Sequence, residues 1–132
     1  MSYKEKDFQG RFNKWLKYHW MKKSAAFELK ICKKKSLSFS AVKSHQIDGL
    51  LHAKHGSVVK KLSDIDPAQK PFDCFILANV MAFVVILFYE PRKQKEAFLI
   101  DIDDFVEERD KSNRKSITKE RGAELSKYII RI

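Results

Sequence analysis

The feature that most constrains the fold of this chain is an uninterrupted apolar run of ten residues, Val80–Tyr89. The run is about half as long as an α-helical membrane span needs. It is rich in β-branched and aromatic side chains, and a short apolar run of this composition is typical of a buried strand. A chain of 132 residues can bury such a strand in one compact core, so we expect a single domain over residues 1–132.

Elements of both kinds surround this strand in the sequence. Apolar residues at helical spacing predict helices, and alternating apolar and polar residues predict strands. The order of these elements predicts an α/β fold in which a mixed sheet is flanked by helices. The expected elements are helices over Lys4–Trp20, from Ser40 or Val42 to His55, from Asp103 or Asp104 and from Thr118, a polar loop over Lys33–Ser40, and strands over Ala25–Ile31, Val58–Leu62, Phe72–Leu77, Met81–Tyr89 and Ala97–Ile102.

Positive charge is concentrated near the start of the chain. The sequence has 27 Lys and Arg against 17 Asp and Glu, a formal net charge of +10. Residues 1–35 contain 11 of the basic residues and three of the acidic ones, so they carry +8 of this excess. Such an excess favours a polyanionic partner. Cys32 and Cys74 form no disulfide or zinc motif, and no secretory signal is visible, so we expect a cytoplasmic protein with reduced thiols.

The tripeptide Glu28-Leu29-Lys30 lies on one of the expected strands. Residues two apart on a strand point to the same face, so the Glu28 carboxylate and the Lys30 ammonium are expected side by side. A carboxylate can hold a hard divalent cation, and a neighbouring lysine can stabilise charge on a phosphate. The same spacing also occurs by chance on solvated strand faces, so this tripeptide alone does not establish a site.

Two further residues could complete a site around this pair. Asp73 enters an apolar strand, where an acid needs a metal, a hydrogen bond or an ion pair, although capping the preceding turn is the alternative. A second carboxylate near Glu28 is what a phosphodiester-cleaving metal site requires. Gln46 lies on the helix that follows the E-x-K strand, where it could lean over the site or be an ordinary surface amide.

Several motifs in one order resemble a known family. The stretch FELKICKKKSLSFSAVKSHQIDGLL resembles the E-x-K strand, serine-rich loop and His-Gln helix of RecU-type Holliday junction resolvases, which belong to the PD-(D/E)XK nuclease superfamily. The stretch FLIDIDDFVEERDKSNRKSITKE resembles the closing strand, helix and Arg-Lys-Ser-Ile segment of the same proteins. Residues 4–120 are also similar to small phage-encoded nucleases of this type, in which a PFD motif follows the helix.

This resemblance implies a restriction-endonuclease-like fold and the Mg²⁺-dependent hydrolysis of DNA phosphodiesters, with Mn²⁺ as a substitute. It also implies a homodimer that acts on branched DNA such as a four-way junction. Glu28 matches the metal-binding acid of the family, and Lys30 matches the catalytic lysine. Gln46 matches the glutamine on the helix after the site. Glu5 is a candidate counterpart of the acid that the first helix supplies in some members.

One departure from the family pattern concerns the first metal-binding aspartate. It usually lies on a hairpin before the E-x-K strand, but here that position falls on Trp15 and its neighbours, inside the first helix. We therefore hypothesise that the Asp-bearing hairpin, roughly Val58–Leu77, has moved to follow the strand. Asp73, Glu28 and the Leu29 carbonyl would then hold Mg²⁺. The hypothesis predicts that the two carboxylates lie about 4–6 Å apart.

Basic residues flank this candidate site in the sequence. They could bind DNA phosphates, or they could form a solubilising face. The alternative functions are another nuclease of the superfamily, such as a nickase, exonuclease or restriction-like enzyme, and a non-catalytic DNA-binding protein on the same fold. For a dimer interface, Trp15, Trp20 or the edge of strand 81–89 are candidates, and packing inside the monomer is the alternative. The residues predicted to bind DNA are Lys22, Lys23, Lys33, Lys34, Lys35, Lys43, Arg114 and Lys115.

Overall fold

The computed structural model describes residues 3–20, 24–61 and 74–132, and within these it describes side chains except at 58–61 and 74–77. No helix in these ranges has the length and apolar character needed to cross a bilayer. The helices are α1 (Glu5–His19), α2 (Ser44–His55), α3 (Ile102–Lys111) and α4 (Lys119–Leu125). The strands are β1 (Ala25–Cys32), β2 (Ser36–Ser38), β3 (Ser57–Lys61), β4 (Cys74–Ala78), β5 (Met81–Phe88), β6 (Glu96–Asp101), β7 (Ser116–Thr118) and β8 (Tyr128–Arg131).

A four-stranded mixed sheet with the strand order β1-β5-β6-β8 forms the centre of the fold. β1 and β5 are parallel, whereas β5 pairs with β6 and β6 with β8 in antiparallel fashion. The apolar run forms β5, which is paired on both sides and buried from Ala82 to Phe88. The predicted α/β class with a mixed sheet flanked by helices is therefore confirmed.

The side chains of β5 alternate between the two faces of the sheet, and those on both faces are apolar. Each face is therefore covered by helices. Phe83 belongs to the layer beneath α1, where Phe8 and Phe12 are fully buried. Val84 belongs to the opposite layer, which α2 and α3 cover. This arrangement explains why β5 is apolar at every position rather than at alternate ones.

The parallel pairing of β1 with β5 requires the chain to cross from the end of one strand to the start of the other. α2 and the antiparallel ribbon of β3 and β4 make this crossing. The chain turns from β4 into β5 at Asn79, whose φ of 53° is left-handed, a conformation that asparagine tolerates better than most residues. The Asn79 and Val80 amides donate to the Gly56 and Ala53 carbonyls at 3.3 and 2.9 Å, which fixes the ribbon to the end of α2.

The structure differs from the expected elements mainly at short strands. Residues 33–40, expected to be a polar loop, contain β2 and the start of a 3₁₀ turn, with Leu37 and Phe39 buried. β8 was not predicted at all, and it forms an edge of the central sheet. Strands of three or four residues are too short to show an alternating pattern, and these form because a distant strand pairs with them. α2 begins at Ser44, later than expected, because the 3₁₀ turn precedes it.

A cluster of charged side chains joins the end of α2 to the start of α3. The Lys54 ammonium lies 2.8 and 2.9 Å from the two carboxylate oxygens of Asp101 and also donates to Asp103. Asp101 is only 7% exposed, and its carboxylate accepts the Asp103 amide at the start of α3. Burial alone would lower the pKa of Lys54, but hydrogen bonds to the two carboxylates raise that pKa above its ordinary value. Lys54 is therefore charged and compensates for the burial of Asp101.

Candidate functional site

Glu28 and Lys30 lie in the middle of β1 and share one face of it, as their spacing predicts. The neighbouring positions on that face, Ala26 and Cys32, pack into the layer that α2 and α3 cover. The alternate residues of β1, including Leu29, pack into the layer beneath α1. Glu28 and Lys30 therefore face the side of the sheet where α2 lies.

The two side chains form a half-buried ion pair. The Lys30 Nζ atom lies 3.4 Å from the Glu28 Oε1 atom, and the side chains are 16% and 26% exposed respectively. β1 is an edge strand of the central sheet, and none of the strands that the structure describes pairs with its outer edge. The pair therefore lies on a strand whose outer backbone edge is unpaired among the described strands. The apolar layer around the pair limits solvent screening of its charges.

Asp73, the predicted second carboxylate, lies outside the described residues. The neighbouring backbone does confirm that a hairpin lies within the stretch Val58–Leu77, since β3 and β4 pair from Ser57 opposite Ala78 to Lys61 opposite Cys74. The ribbon packs against α2, the helix that also contacts β1. The predicted distance of Asp73 from Glu28 stays a prediction.

Gln46 lies in the first turn of α2, and its amide oxygen has a structural role. The Lys43 backbone N–H donates to the Gln46 Oε1 atom at 2.9 Å, so the side chain caps the start of the helix. This bond uses the oxygen of the amide and leaves its NH₂ group available to another acceptor. Lys43 itself is exposed at the same end of α2.

Glu5 lies in the first turn of α1, and this helix covers the face of the sheet opposite to Glu28. The contacts of the described residues do not bring the two carboxylates together, so the role of Glu5 as a ligand stays a prediction. Within the ranges that the structure describes, no three acidic, histidine or cysteine side chains are grouped closely enough to hold a metal ion. Of the two carboxylates predicted to hold the metal together with the Leu29 carbonyl, Glu28 is therefore the one that lies within the described residues.

Seven of the eight predicted DNA-binding residues fall into three groups, and the eighth, Lys43, lies apart from them at the start of α2. Lys22 and Lys23 lie outside the described residues. Lys33, Lys34 and Lys35 directly follow β1 and are exposed, and Arg114 and Lys115 are exposed between α3 and β7. The β2–β7 ribbon connects the last two groups, because Lys35 immediately precedes one of its strands and Lys115 the other.

Packing resolves two of the alternatives left open by the sequence. β5 has no free edge, so the suggestion that strand 81–89 forms a dimer interface by its edge is wrong. Trp20 packs against Phe27 with ring centroids 5.7 Å apart, and Trp15 belongs to the same apolar layer, so both contribute to the monomer core.

The Cys32 thiol is buried and donates to the Lys34 and Ser36 carbonyls, so its position is structural.

Sequence reasoning missed a group of aromatic and basic residues beyond the end of β1. Tyr3 and Tyr89 stack on each other, and Arg11, Lys33 and Lys95 lie over their rings. These residues are far apart in the sequence, and no local pattern connects them. The packing of α1 across the sheet brings them together.

Comparisons of the chain with models of protein families, with curated proteins and with solved structures find no significant match in any of the three.

Proposed function

We propose that this chain is a metal-dependent DNA endonuclease with a restriction-endonuclease-like fold, acting on branched DNA such as a four-way junction. The observation that carries the proposal is the half-buried ion pair of Glu28 and Lys30 in the middle of an edge strand. A helix follows this strand in the chain, as in the family that the sequence resembles, and the strand pairs in parallel with β5. A solvated strand face explains the pair less well. Lysine and glutamate side chains on such a face are usually exposed, whereas Lys30 and Glu28 are half-buried.

The two side chains have complementary roles in this proposal. The Glu28 carboxylate supplies a hard oxygen ligand, and the Leu29 carbonyl could supply a second. The Lys30 ammonium lies within reach of the Glu28 carboxylate and can orient the attacking water and stabilise negative charge that builds on the phosphate. Gln46 can use its free NH₂ group to orient the same water or a phosphate oxygen.

The donor set fits Mg²⁺ only if a second carboxylate joins Glu28. A bound Mg²⁺ would polarise the phosphate and lower the pKa of a bound water. Asp73 is the residue that we propose for this role, since it directly precedes β4 and the ribbon of β3 and β4 packs against α2. None of the described strands pairs with the outer edge of β1, the strand that carries Glu28.

We infer the substrate class from the charge of the chain, and we infer a branched junction as the substrate from the resemblance to Holliday junction resolvases. The net charge of +10, with exposed lysines directly after β1, favours a polyanion such as DNA. One site in each chain cuts one strand, so cleavage of two strands of a junction requires two chains. We therefore propose a homodimer on the DNA.

The Asp73→Asn variant tests whether the second ligand is correctly identified. It should lose Mg²⁺-dependent cleavage by at least about a hundredfold, because a neutral amide is a poorer ligand than a carboxylate and the metal supplies several kcal/mol of transition-state stabilisation. The matched control is Asp110→Asn, which removes an exposed carboxylate from α3 and should cleave normally. Wild-type cleavage by Asp73→Asn would show that the second ligand lies elsewhere and that the moved-hairpin hypothesis is wrong.

A further inference from the structure

A second surface with unbalanced positive charge lies at the carboxyl ends of β1 and β5. At its centre the rings of Tyr3 and Tyr89 stack with centroids 5.0 Å apart and planes 7° from parallel. Arg11 lies 5.7 Å from the centroid of the Tyr3 ring, and Lys33 lies 5.9 Å from that of Tyr89. Lys95 lies 5.3 and 5.6 Å from the two centroids. We call these five residues the tyrosine-centred surface.

Two clefts meet at this surface and share Tyr89. One, of about 570 Å³, lies along α1 and is lined by basic residues that include Lys6, Arg11 and Lys14. The other, of about 530 Å³, is lined by residues that include Lys33–Lys35. Clefts of this size accommodate a nucleotide-sized group. The two clefts therefore bring basic side chains to Tyr89 both from α1 and from the segment after β1.

Three acidic side chains line the two clefts, Asp7 in one and Glu90 and Glu120 in the other, and two of them are already engaged. The Asp7 carboxylate accepts the Lys4 backbone N–H at 2.8 Å, and Glu90 pairs with Lys93 at 2.7 Å and with Lys119 at 3.6 Å. In the part of the chain that the structure describes, the ion pairs do not include the three cations of the tyrosine-centred surface. The aromatic rings hold these cations in place but do not neutralise them.

The Tyr3 hydroxyl takes no part in the exposed surface. Its oxygen is buried and has no hydrogen-bond partner among the described residues, so the rings and the cations around them, rather than this hydroxyl, face a ligand. Cations already lie over the two tyrosine rings, which disfavours stacking of a base there and favours contact with phosphate oxygens.

We propose that the tyrosine-centred surface binds the phosphate backbone of DNA beyond the bond that is cut. The identification of the polyanion as DNA rests on the proposed function. Lys33 follows Glu28 by five residues, which is about 16 Å along an extended chain. Tyr3 and Tyr89 lie on the α1 side of the sheet and Glu28 on the other, so the DNA would pass the end of β1 between them. Phosphates on one DNA strand rise by about 3.4 Å per nucleotide, so the surface would hold the strand at least about five nucleotides from the cleaved bond.

The double variant Arg11→Gln/Lys95→Gln tests this surface by DNA binding. Binding of a labelled four-way junction is followed by fluorescence anisotropy at several salt concentrations, in EDTA so that no cleavage occurs. The slope of log affinity against log salt should become shallower by about 2, because two fewer phosphates are neutralised by the protein. The control is Lys127→Gln, at the opposite end of the sheet next to the Tyr128–Leu99 pair, and its slope should be that of the wild type. A wild-type slope in the double variant would overturn the proposal.

The Tyr3→Phe variant is a second control for this surface. It removes the buried, unpartnered hydroxyl and keeps the ring that stacks on Tyr89, so the free protein should unfold at the same or a higher temperature. Its junction affinity and salt slope should be those of the wild type, because the cations are unchanged. A shallower slope in Tyr3→Phe would contradict the assignment of phosphate binding to Arg11 and Lys95.

These binding measurements can fail independently of the proposed function. If the wild type binds the junction but never cuts it with Mg²⁺, the nuclease proposal fails while a shallower slope in the double variant still supports the surface. If the wild type cuts and the double variant binds with an unchanged slope, the surface is wrong and the nuclease proposal stands. The double variant should cut normally at saturating DNA, because neither residue belongs to the Glu28–Lys30 site.

Discussion

The Glu28→Gln variant should cleave a four-way junction at least about a thousandfold more slowly than the wild type in Mg²⁺. The substitution keeps the size of the side chain but removes the charge that binds the metal, which supplies several kcal/mol of transition-state stabilisation. It also removes the ion pair with Lys30, whose ammonium then loses its nearest carboxylate. Initial rates of nicking on a labelled junction, at saturating DNA, measure the loss.

The control for this variant is Glu107→Gln, which makes the same chemical change at an exposed position on α3. Glu107→Gln should cut at the wild-type rate, and both variants should bind the junction in EDTA at least as tightly as the wild type, because each loses a negative charge. A Glu28→Gln protein that cuts normally would remove Glu28 from the site. Loss of junction binding together with cleavage would indicate that the fold, rather than the metal site, has been damaged.

The Lys54→Met variant should have the largest effect on stability among the surface-accessible charges. It leaves the Asp101 carboxylate, 7% exposed, without its ammonium partner, and breaking a buried ion pair from one side costs about 3–5 kcal/mol in general. Because the Lys54 side chain is 29% exposed, solvent should reduce this loss to about 2–3 kcal/mol. Urea unfolding followed by circular dichroism measures the change in the free energy of unfolding.

The double variant Lys54→Met/Asp101→Asn distinguishes an unpaired charge from lost packing. Removing the carboxylate charge as well should restore part of the stability, because the charge that lacks a partner is then absent. The control Lys111→Met breaks an exposed pair with Glu107 and should leave the urea midpoint nearly unchanged. If Lys54→Met unfolds at the wild-type midpoint, the link between α2 and α3 contributes no net stability.

The long elements were predictable because their signal is local. The apolar run that forms β5 indicates a buried strand by its length and composition, and the apolar residues of α1 that include Phe8 and Phe12 follow a helical spacing. β2, β7 and β8 were not predictable in the same way, since each has three or four residues and depends on a partner elsewhere in the chain. Leu37 on β2, for example, pairs with Ile117 on β7, and both are buried although the residues on either side of Leu37 are serines.

The candidate site was predictable only where one strand carries it. The spacing of Glu28 and Lys30 on β1 defines their shared face, and the structure confirms that they approach each other. The tyrosine-centred surface could not be read in this way. Tyr3 and Tyr89 belong to opposite ends of the chain's first ninety residues, and their stacking results from the packing of α1 across the sheet. Distant residues on different elements become neighbours only through the tertiary structure.

The proposed activity is measured by Mg²⁺-dependent nicking of a four-way junction, compared with a linear duplex and a single strand of the same length. We predict that the purified chain cuts the junction when Mg²⁺ is added, that EDTA stops the reaction, and that the two unbranched substrates are cut much more slowly. Equal cutting of all three substrates would support a nuclease of another specificity and contradict the junction claim. Binding of the junction without cleavage in either Mg²⁺ or Mn²⁺ would contradict the claim that the Glu28–Lys30 pair is catalytic.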